Sequence, residues 1–353
     1  MNHRRLFLSI ALATALVDNP STCAAQAVTA ATVPGILDTL HEALAFTDDG
    51  RFLREIGTVG TDGTQQNGHV RAITYVAATG AVRHVWNLPA DTWTYSTTTD
   101  GGIAVVSADR DRQGGHAHLL LFNVETGRTQ GIPEKWFDAD ENSPYAQISG
   151  DGKLVSIYSE SNDGMQVSVY QWRGRKLVAK QTSGFFAGGF MWGGVTADGK
   201  IEFSNNRSGS YVVDPKTGRA IVSYGPHGAR SSDGRWIVDF PNPGYADDTT
   251  DAHIRDGISG QTIANVDLQM TVDEVNSWWT GAFCGATGRF VASGADKVFV
   301  FEIPSGKKVA AIPVDTWKDP RVTEKDVARV ACSPNGKRIA IRSVSRLTIH
   351  NLD

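Results

Sequence analysis

The stretch Ser333-Pro334-Asn335-Gly336-Lys337, which runs directly into Arg338-Ile339-Ala340-Ile341, combines two local signals. Asn-Gly places glycine at a turn position that requires a positive φ. The short isoleucine-rich run that follows is typical of a β-strand. We therefore predict a tight turn that leads into a strand at this point of the chain.

Two turn signatures of this kind alternate along the whole chain. The first, Asp-Gly-Arg/Lys or a close relative, occurs seven times, at Gly50, Gly101, Gly152, Gly199, Gly234, Gly288 and Gly336. The second, Thr-Gly or Ser-Gly, occurs at Gly80, Gly127, Gly218, Gly260 and Gly306, and Arg173-Gly174-Arg175 fills the remaining slot. The glycines of the second set lie 47, 47, 44, 42 and 46 residues apart, which matches the period of a four-stranded propeller blade.

Each repeat is predicted to run through strand a, an Asp-Gly turn, strand b, a variable connection, strand c, a Thr-Gly turn and strand d. Seven a–b turns but only six c–d turns are present, because the last repeat ends at strand c, residues 347–353. We expect residues 28–34, whose pattern resembles the d strand at residues 309–313, to supply the missing strand and close the ring. The predicted fold class is an all-β, seven-bladed β-propeller with four-stranded antiparallel blades, formed by one domain over residues 28–353.

The amino terminus has the composition of a targeting segment. A basic start at residues 1–5 precedes a continuous apolar run at residues 6–17, which is too short to span a bilayer. Small residues then offer cleavage after Ala25 or Ala27, so residues 1–27 are predicted to be a secretory signal peptide and the protein to be periplasmic or secreted. The alternatives are a buried core helix and a lipoprotein signal at Cys23, whose preceding residues match that pattern poorly.

Composition and charge limit the possible partners. The chain is 41% hydrophobic and 20% charged, which suffices for a large core, and its 37 glycines recur at turn positions. The net charge is −4, and removing residues 1–27 makes it −5, so no basic footprint for nucleic acid is present. The sequence contains no contiguous Lys/Arg block that would indicate binding to an anionic membrane, and no membrane span is predicted.

Two cysteines remain after the predicted cleavage. Cys284 and Cys332 each precede a turn glycine by four residues, so they are expected at equivalent positions of consecutive repeats. Equivalent points on neighbouring inner strands are expected to lie beyond the disulfide Cα limit of about 7 Å. We therefore expect two buried thiols, although export leaves a disulfide chemically possible.

The chain resembles the WD40-like and YVTN-type bacterial propeller repeats over residues 28–353. The resemblance rests on residues 333–337 and on Phe-Asn-Val-Glu-Thr-Gly-Arg at residues 122–128. The Trp-Asp dipeptide of true WD40 repeats is absent, and their Gly-His pair does not recur in register. The resemblance implies the fold, but such propellers include scaffolds, lactonases, lyases and redox enzymes, so it implies little about chemistry.

In propellers the d–a and b–c connections share one face, the top, and here those connections vary while the turns on the other face are stereotyped. Variable loops on a rigid scaffold usually carry function. Aromatic and acidic residues recur in the d–a connections, and they suit a sugar, a cationic group or a peptide. The candidate ligand-binding residues are Trp93, Trp136, Asp138, Trp192, Trp278 and Trp317. The alternative reading of these tryptophans is packing between blades.

Three long b–c connections contain histidines and carboxylates. His116, His118, Asp109 and Asp111 form the candidate set for a divalent metal, because imidazole and carboxylate groups are common ligands of such ions. His69, at a comparable position of the first repeat, favours the alternative that these are polar loop residues. No other cofactor is evident from the sequence.

No hydrolase elbow, zinc-protease, Cys-x-x-Cys or phosphate-loop motif is present. We therefore expect an exported, monomeric binding protein that presents its top face to a protein, peptide or glycan. The alternative is a propeller enzyme of lactonase, lyase or hydrolase type, with an axial top-face site of histidine and carboxylates and possible metal dependence. A third possibility is a structural module inside a larger envelope complex.

Overall fold

The computed structural model describes most of the chain with gaps between segments, and every structural statement below concerns the described residues. These are residues 27–29, 43–59, 69–90, 93–108, 118–136, 145–161, 164–183, 191–205, 209–225, 229–240, 251–267, 281–285, 287–294, 297–314, 328–343 and 347–352. They form seven four-stranded antiparallel sheets, which confirms the predicted seven-bladed propeller.

The strands follow the predicted a-b-c-d order in every blade. Strand β1 (Ala27–Thr29) belongs to blade 7, and blade 1 comprises β2 (Ala43–Phe46), β3 (Phe52–Val59), β4 (His69–Val76) and β5 (Val82–Ala90). Blade 2 comprises β6 (Trp93–Thr97), β7 (Ile103–Ala108), β8 (His118–Asn123) and β9 (Arg128–Gly131), followed by a 3-10 turn at Glu134–Trp136. Blade 3 comprises β10 (Tyr145–Ile148), β11 (Leu154–Ser161), β12 (Gly164–Gln171) and β13 (Lys176–Ser183).

The remaining four blades have the same architecture. Blade 4 comprises β14 (Met191–Val195), β15 (Ile201–Asn205), β16 (Gly209–Val213) and β17 (Ala220–Tyr224). Blade 5 comprises β18 (Ala229–Arg230), β19 (Trp236–Asp239), β20 (Asp251–Asp256) and β21 (Thr262–Asp267). Blade 6 comprises β22 (Gly281–Phe283), β23 (Arg289–Ser293), β24 (Lys297–Glu302) and β25 (Lys308–Pro313), and blade 7 comprises β26 (Arg329–Cys332), β27 (Arg338–Arg342), β28 (Leu347–Asn351) and β1.

The amino-terminal strand closes the ring as predicted. Strand β1 pairs antiparallel with β28, with Val28 opposite Ile349. Residues 30–34 of the expected strand lie outside the described part of the chain. The a strands of neighbouring blades contact each other, so they form the inner wall of the ring. The core lies between blades, as in the cluster that joins Phe46 and Leu53 of blade 1 to Ala340 and Ile349 of blade 7.

A hydroxyl group organises the a–b turn of six blades. In blade 2, Thr98 Oγ1 donates to Asp100 Oδ1 at 2.6 Å and accepts from the Ile103 N–H at 3.0 Å. The Asp100 carboxylate also accepts the Gly102 N–H at 2.9 Å. The equivalent hydroxyl residues in the other five blades are Thr47, Ser149, Thr196, Ser231 and Ser333. The turn is thus held by side chains on both sides of the glycine.

The expectation of two free thiols was wrong, because Cys284 and Cys332 form a disulfide with a Cα–Cα distance of 4.8 Å. The backbone N–H of Cys284 donates to the carbonyl five residues on, as the N–H of Ser333 does, so Cys284 occupies the hydroxyl position of its turn. Cys332 lies one residue before that position. Successive side chains of a strand point to opposite faces. The one-residue offset therefore lets Cys284 face blade 7 and Cys332 face blade 6, where the two sulfurs meet.

The disulfide should be measurable as a contribution to stability. Replacing both cysteines with serine, C284S/C332S, is expected to lower the free energy of unfolding by about 2–4 kcal/mol, because the bridge closes a long loop in the unfolded chain. Cys284→Ser supplies the hydroxyl that the other blades have at this position. Urea denaturation with and without reductant measures the loss, and reductant should leave the double variant unchanged. Two titratable thiols in the denatured, unreduced exported protein would refute the bridge.

The c–d turns place a glycine at positive φ against strand d of the preceding blade. Gly127 has φ of 68°, and a Cβ there would lie 2.7 Å from the Trp86 ring of blade 1. Gly218, Gly260 and Gly306 contact the preceding blade in the same way. Blade 3 differs, because its positive φ of 49° falls on Arg175 and not on the predicted Gly174.

Arg175 therefore adopts a conformation that disfavours residues with a Cβ. Arg175→Gly is expected to raise the free energy of unfolding by about 1 kcal/mol, because the side chain is exposed and loses no packing. Gly218→Ala, at the equivalent turn of blade 4, is the matched control and should lower it by about the same amount. Urea denaturation of both variants checks the pair, and an unchanged or less stable Arg175→Gly protein would contradict this account.

Candidate functional site

Most of the predicted site residues lie outside the described part of the chain. These are Asp138, Trp278 and Trp317 of the ligand-binding set and Asp109, Asp111 and His116 of the metal set. Their predicted roles stay predictions. The structure does place Trp93, Trp136, Trp192 and His118, and it places them in three different settings.

Three aromatic residues occupy one level of the inner wall. These are Trp93 of blade 2, Tyr145 of blade 3 and Trp192 of blade 4. In each blade the aromatic residue lies four residue pairs along strands a and b from the hydroxyl residue of the a–b turn. In blade 2 this match depends on Tyr95, which has no partner in the ladder and forms a bulge. We call this level, at the end of the a strands away from the Asp-Gly turns, the aromatic layer.

Blade 7 puts positive charge at the same level. Arg329, the first residue of β26, lies four residue pairs from Ser333 along strands a and b and directly opposite Arg342. Like charges facing each other across a strand pair are unfavourable. The Arg342 guanidinium, however, pairs through two nitrogens with both carboxylate oxygens of Glu55 in blade 1. Arg329 therefore stands beside a neutralised neighbour.

Glu55 is the buried centre of this junction between the first and last blades. Its side chain is 1% exposed, and besides the arginine it accepts a hydrogen bond of 2.9 Å from the Tyr75 hydroxyl. Burial raises the pKa of Tyr75 above its usual range, and the negative charge of Glu55 acts in the same direction. Tyr75 therefore stays protonated and keeps donating. The network holds the two blades together beneath the level of Arg329.

Trp136 lies in the core between blades 2 and 3. It is 6% exposed, its ring stacks on Tyr170 at 4.1 Å between centroids, and Trp172 meets it edge-on. This position matches the alternative of packing between blades. The Tyr170 hydroxyl also donates to the Trp136 carbonyl at 3.3 Å, which fixes the 3-10 turn that precedes blade 3.

His118, the first residue of β8, is exposed beside an acidic partner. Its Nδ1 lies 3.6 Å from Glu134 Oε1, and both side chains are more than half exposed. Within the described ranges, no group of three or more His, Cys, Asp or Glu side chains could hold a metal ion. Of the proposed metal set, the described ranges thus contain one surface histidine, His118, beside one carboxylate, that of Glu134.

Sequence reasoning missed the charged residues that join neighbouring blades. Arg54 of blade 1 binds Asp100 of blade 2 at 2.9 Å, and Arg230 of blade 5 binds Asp198 of blade 4 at 3.0 Å. Arg338 of blade 7 donates to the Gly50 carbonyl at 3.3 Å. The available signal was a charge inside a strand otherwise made of apolar residues, as in Leu53-Arg54-Glu55-Ile56. A charge placed so deep must find a partner, and the blade interfaces provide one.

The comparisons with known proteins support the fold and no more. No family model matches the chain, and no curated protein matches it. A chain in a solved structure described as the mitotic checkpoint complex is similar at 14% identity and a TM-score of 0.59, covering 100% of this chain and 99% of that one. The β-propeller domain of Cps50 (Swd1) from Myceliophteria thermophila is similar at 14% identity and a TM-score of 0.58, covering 93% and 100%.

The second neighbour is described as a β-propeller domain, and both alignments cover nearly all of this chain, so the likeness confirms the propeller architecture. At 14% identity it shows the shared fold alone, and 1060 solved chains match this fold. In the described part of the chain, no helix is long and apolar enough to cross a membrane.

Proposed function

We propose that this chain is an exported β-propeller that binds a protein, peptide or glycan at the end of the ring that carries the aromatic layer. The observation that supports this most directly is the shared ladder position of Trp93, Tyr145 and Trp192 in three consecutive blades. Aromatic residues at one level offer a large, rigid apolar surface that suits sugar rings and apolar peptide side chains. Arg329 lies at the same level of blade 7 and adds positive charge to this end of the ring.

Several further observations favour binding over catalysis. The titratable residues with shifted pKa values are accounted for by turns and packing, as when the Thr47 hydroxyl and the Arg51 backbone lower the pKa of Asp49. One similar chain comes from a structure described as a complex, which agrees with a propeller acting through contacts with other proteins. We further propose that the chain acts as a monomer and belongs with the YVTN-type bacterial repeats it resembles.

Export to the periplasm or the exterior is part of the proposal. Disulfides persist mainly in oxidising compartments, and the Cys284–Cys332 bridge fits such a destination. Strand β1 begins at Ala27, which pairs with His350. Cleavage of the proposed signal peptide after Ala25 leaves β1 whole, whereas cleavage after Ala27 removes one of its three paired residues. We therefore propose cleavage after Ala25.

The cleavage site gives a direct test of export. The protein purified from the exported fraction of an expression host is expected to begin at Gln26, as read by intact mass and amino-terminal sequencing. A variant with two arginines replacing Leu8 and Ile10 should remain uncleaved inside the cell, because the apolar run is interrupted. Recovery of the full 353-residue chain from the wild-type gene would contradict the proposal.

Binding at the aromatic layer is tested with residues 26–353 on glycan and peptide arrays. The wild-type protein is expected to retain a defined set of ligands, and W93A and W192A should each weaken their binding by about tenfold or more, since an aromatic contact contributes about 1–3 kcal/mol. Trp136→Phe is the matched control, because Trp136 packs between blades and its replacement should leave affinity unchanged.

Two outcomes would overturn the assignment of the site. One is binding that survives W93A and W192A, with circular dichroism showing both variants folded. The other is the absence of any reproducible ligand on the arrays. Loss of binding in the Trp136→Phe control, with its fold intact, would place the site at the interface between blades 2 and 3 instead.

A further inference from the structure

Five blades carry a β-bulge at the same point of their outermost strand. In blades 1, 3, 4, 5 and 6 the strand-d residue that lies three positions after the positive-φ residue of the c–d turn has no partner on strand c. These bulge residues are Arg83, Val178, Ile221, Ile263 and Val309. A bulge on an outer edge discourages pairing with another chain. In blades 3 to 6, however, the bulge residue is a β-branched aliphatic one, whereas edge protection is usually reinforced by charge.

Three of the four aliphatic bulge residues are strongly exposed, whereas Ile221 of blade 4 is half-buried against the core between blades 4 and 5. Val178 is 49% exposed, Ile263 44% and Val309 40%, and Ile258, in the c–d turn of blade 5, is 70% exposed. All follow or belong to a c–d turn, so they lie at the end of the ring opposite the aromatic layer. We call the outer edge of blades 3 to 6 at this end the lower rim.

Basic side chains flank the exposed aliphatic residues on the lower rim. They come from the c–d turns and the first residue of strand d, and all are exposed: Arg173, Arg175, Lys176, Lys216, Arg219, Lys307 and Lys308. The same turns hold three acids, Asp214, Asp256 and Glu302. The Asp214 carboxylate accepts two backbone N–H groups of its turn, and Asp256 accepts those of Ile258 and Ser259. Seven basic groups against three acids leave this edge with a net positive charge.

The basic residues of the lower rim come from three separate turns, which is why the sequence shows no contiguous basic block.

We propose that the lower rim docks on the surface of a bilayer that contains anionic phospholipid. Basic side chains near such a surface each contribute favourable electrostatic energy, and neighbouring aliphatic side chains insert shallowly among the headgroups. The rim supplies both kinds of group along one arc. The opposite end of the ring, with the aromatic layer, then faces away from the bilayer toward the surrounding solution.

A bilayer fits the rim better than an acidic protein does. Protein interfaces concentrate their energy in a few large residues, mostly Trp, Tyr and Arg, that fill pockets near the centre of a patch. The exposed apolar residues of the rim are aliphatic, one or two to a blade, and spread over three blades with basic residues between them. That arrangement suits a flat, fluid surface that requires no matching shape.

Vesicle co-sedimentation tests this directly, with residues 26–353, which contain all strands of the ring. The protein is expected to bind vesicles of phosphatidylcholine with phosphatidylglycerol at low salt, and to bind phosphatidylcholine alone at least about tenfold more weakly. Lys216→Glu with Arg219→Glu should weaken binding to the anionic vesicles by about tenfold or more. Arg71→Glu with Lys135→Glu, the same charge change in blades 1 and 2 outside the rim, is the control and should leave binding within about twofold.

A second variant tests the aliphatic part of the rim. Val178→Ser, Ile263→Ser and Val309→Ser together keep the charge, so they should reduce binding at both low and high salt, whereas the charge variant loses its effect at high salt. Melting curves confirm that each variant is folded. Wild-type protein that fails to bind anionic vesicles, or rim variants that bind as well as the control does, would overturn the proposal. Neither result bears on the aromatic layer, whose ligand test uses arrays without lipid.

Discussion

The ring depends on one strand pairing, that of β1 with β28, because it gives the last blade its fourth strand and joins the two ends of the chain. Every blade buries both faces of its sheet against its neighbours, so an open ring would expose two apolar faces. Only three residue pairs form this contact in the described part of the chain, although it has to hold the ring closed. The bidentate ion pair of Glu55 with Arg342 lies at the same junction, between the b strands of blades 1 and 7, and is a second interaction that joins these blades.

Buried charge at this junction is best understood as a source of specificity. A buried ion pair has to overcome the desolvation of both groups, and an apolar pair of similar volume often stabilises a fold as well. Seven blades built on one repeat, however, could pack in alternative orders if every interface were equally apolar. The buried charge of Glu55 requires a cationic partner, Arg54 and Arg230 pair across other junctions, and the disulfide joins blades 6 and 7. Several junctions thus differ chemically from one another.

Much of the architecture follows from turn chemistry that can be read in the sequence, because a glycine at positive φ marks every a–b turn and every c–d turn except that of blade 3. The number of blades, the order of the strands and the amino-terminal closure all follow from that signal. The register of the paired strands does not follow from it. Cys284 and Cys332 are equivalent when counted to the next glycine. In blade 6, however, the glycine lies one position later in a turn of the same length, so the residue equivalent to Cys284 is Ser333 and not Cys332. Likewise Trp93 reaches the level of Trp192 only through a bulge at Tyr95, which no local pattern announces.

The two kinds of turn explain why the two ends of the ring differ. In the a–b turns the polar side chains hold the turn itself, as when Asp151 accepts the Ser149 hydroxyl and pairs with Lys153 at 2.7 Å, so these residues are committed to local structure. In the c–d turns the glycine and the residue that begins the turn hold the backbone, as when Asp214 accepts two backbone N–H groups. Other turn residues, such as Lys216 and Arg219, have no structural duty that requires a positive charge. Their charge and the aliphatic bulge residues next to them are therefore available for binding. The position of the aromatic layer, in contrast, is fixed by the pairing of strands a and b, which starts at the constrained a–b turns. A propeller assembled from one repeat thereby carries two chemically independent surfaces, one for each end.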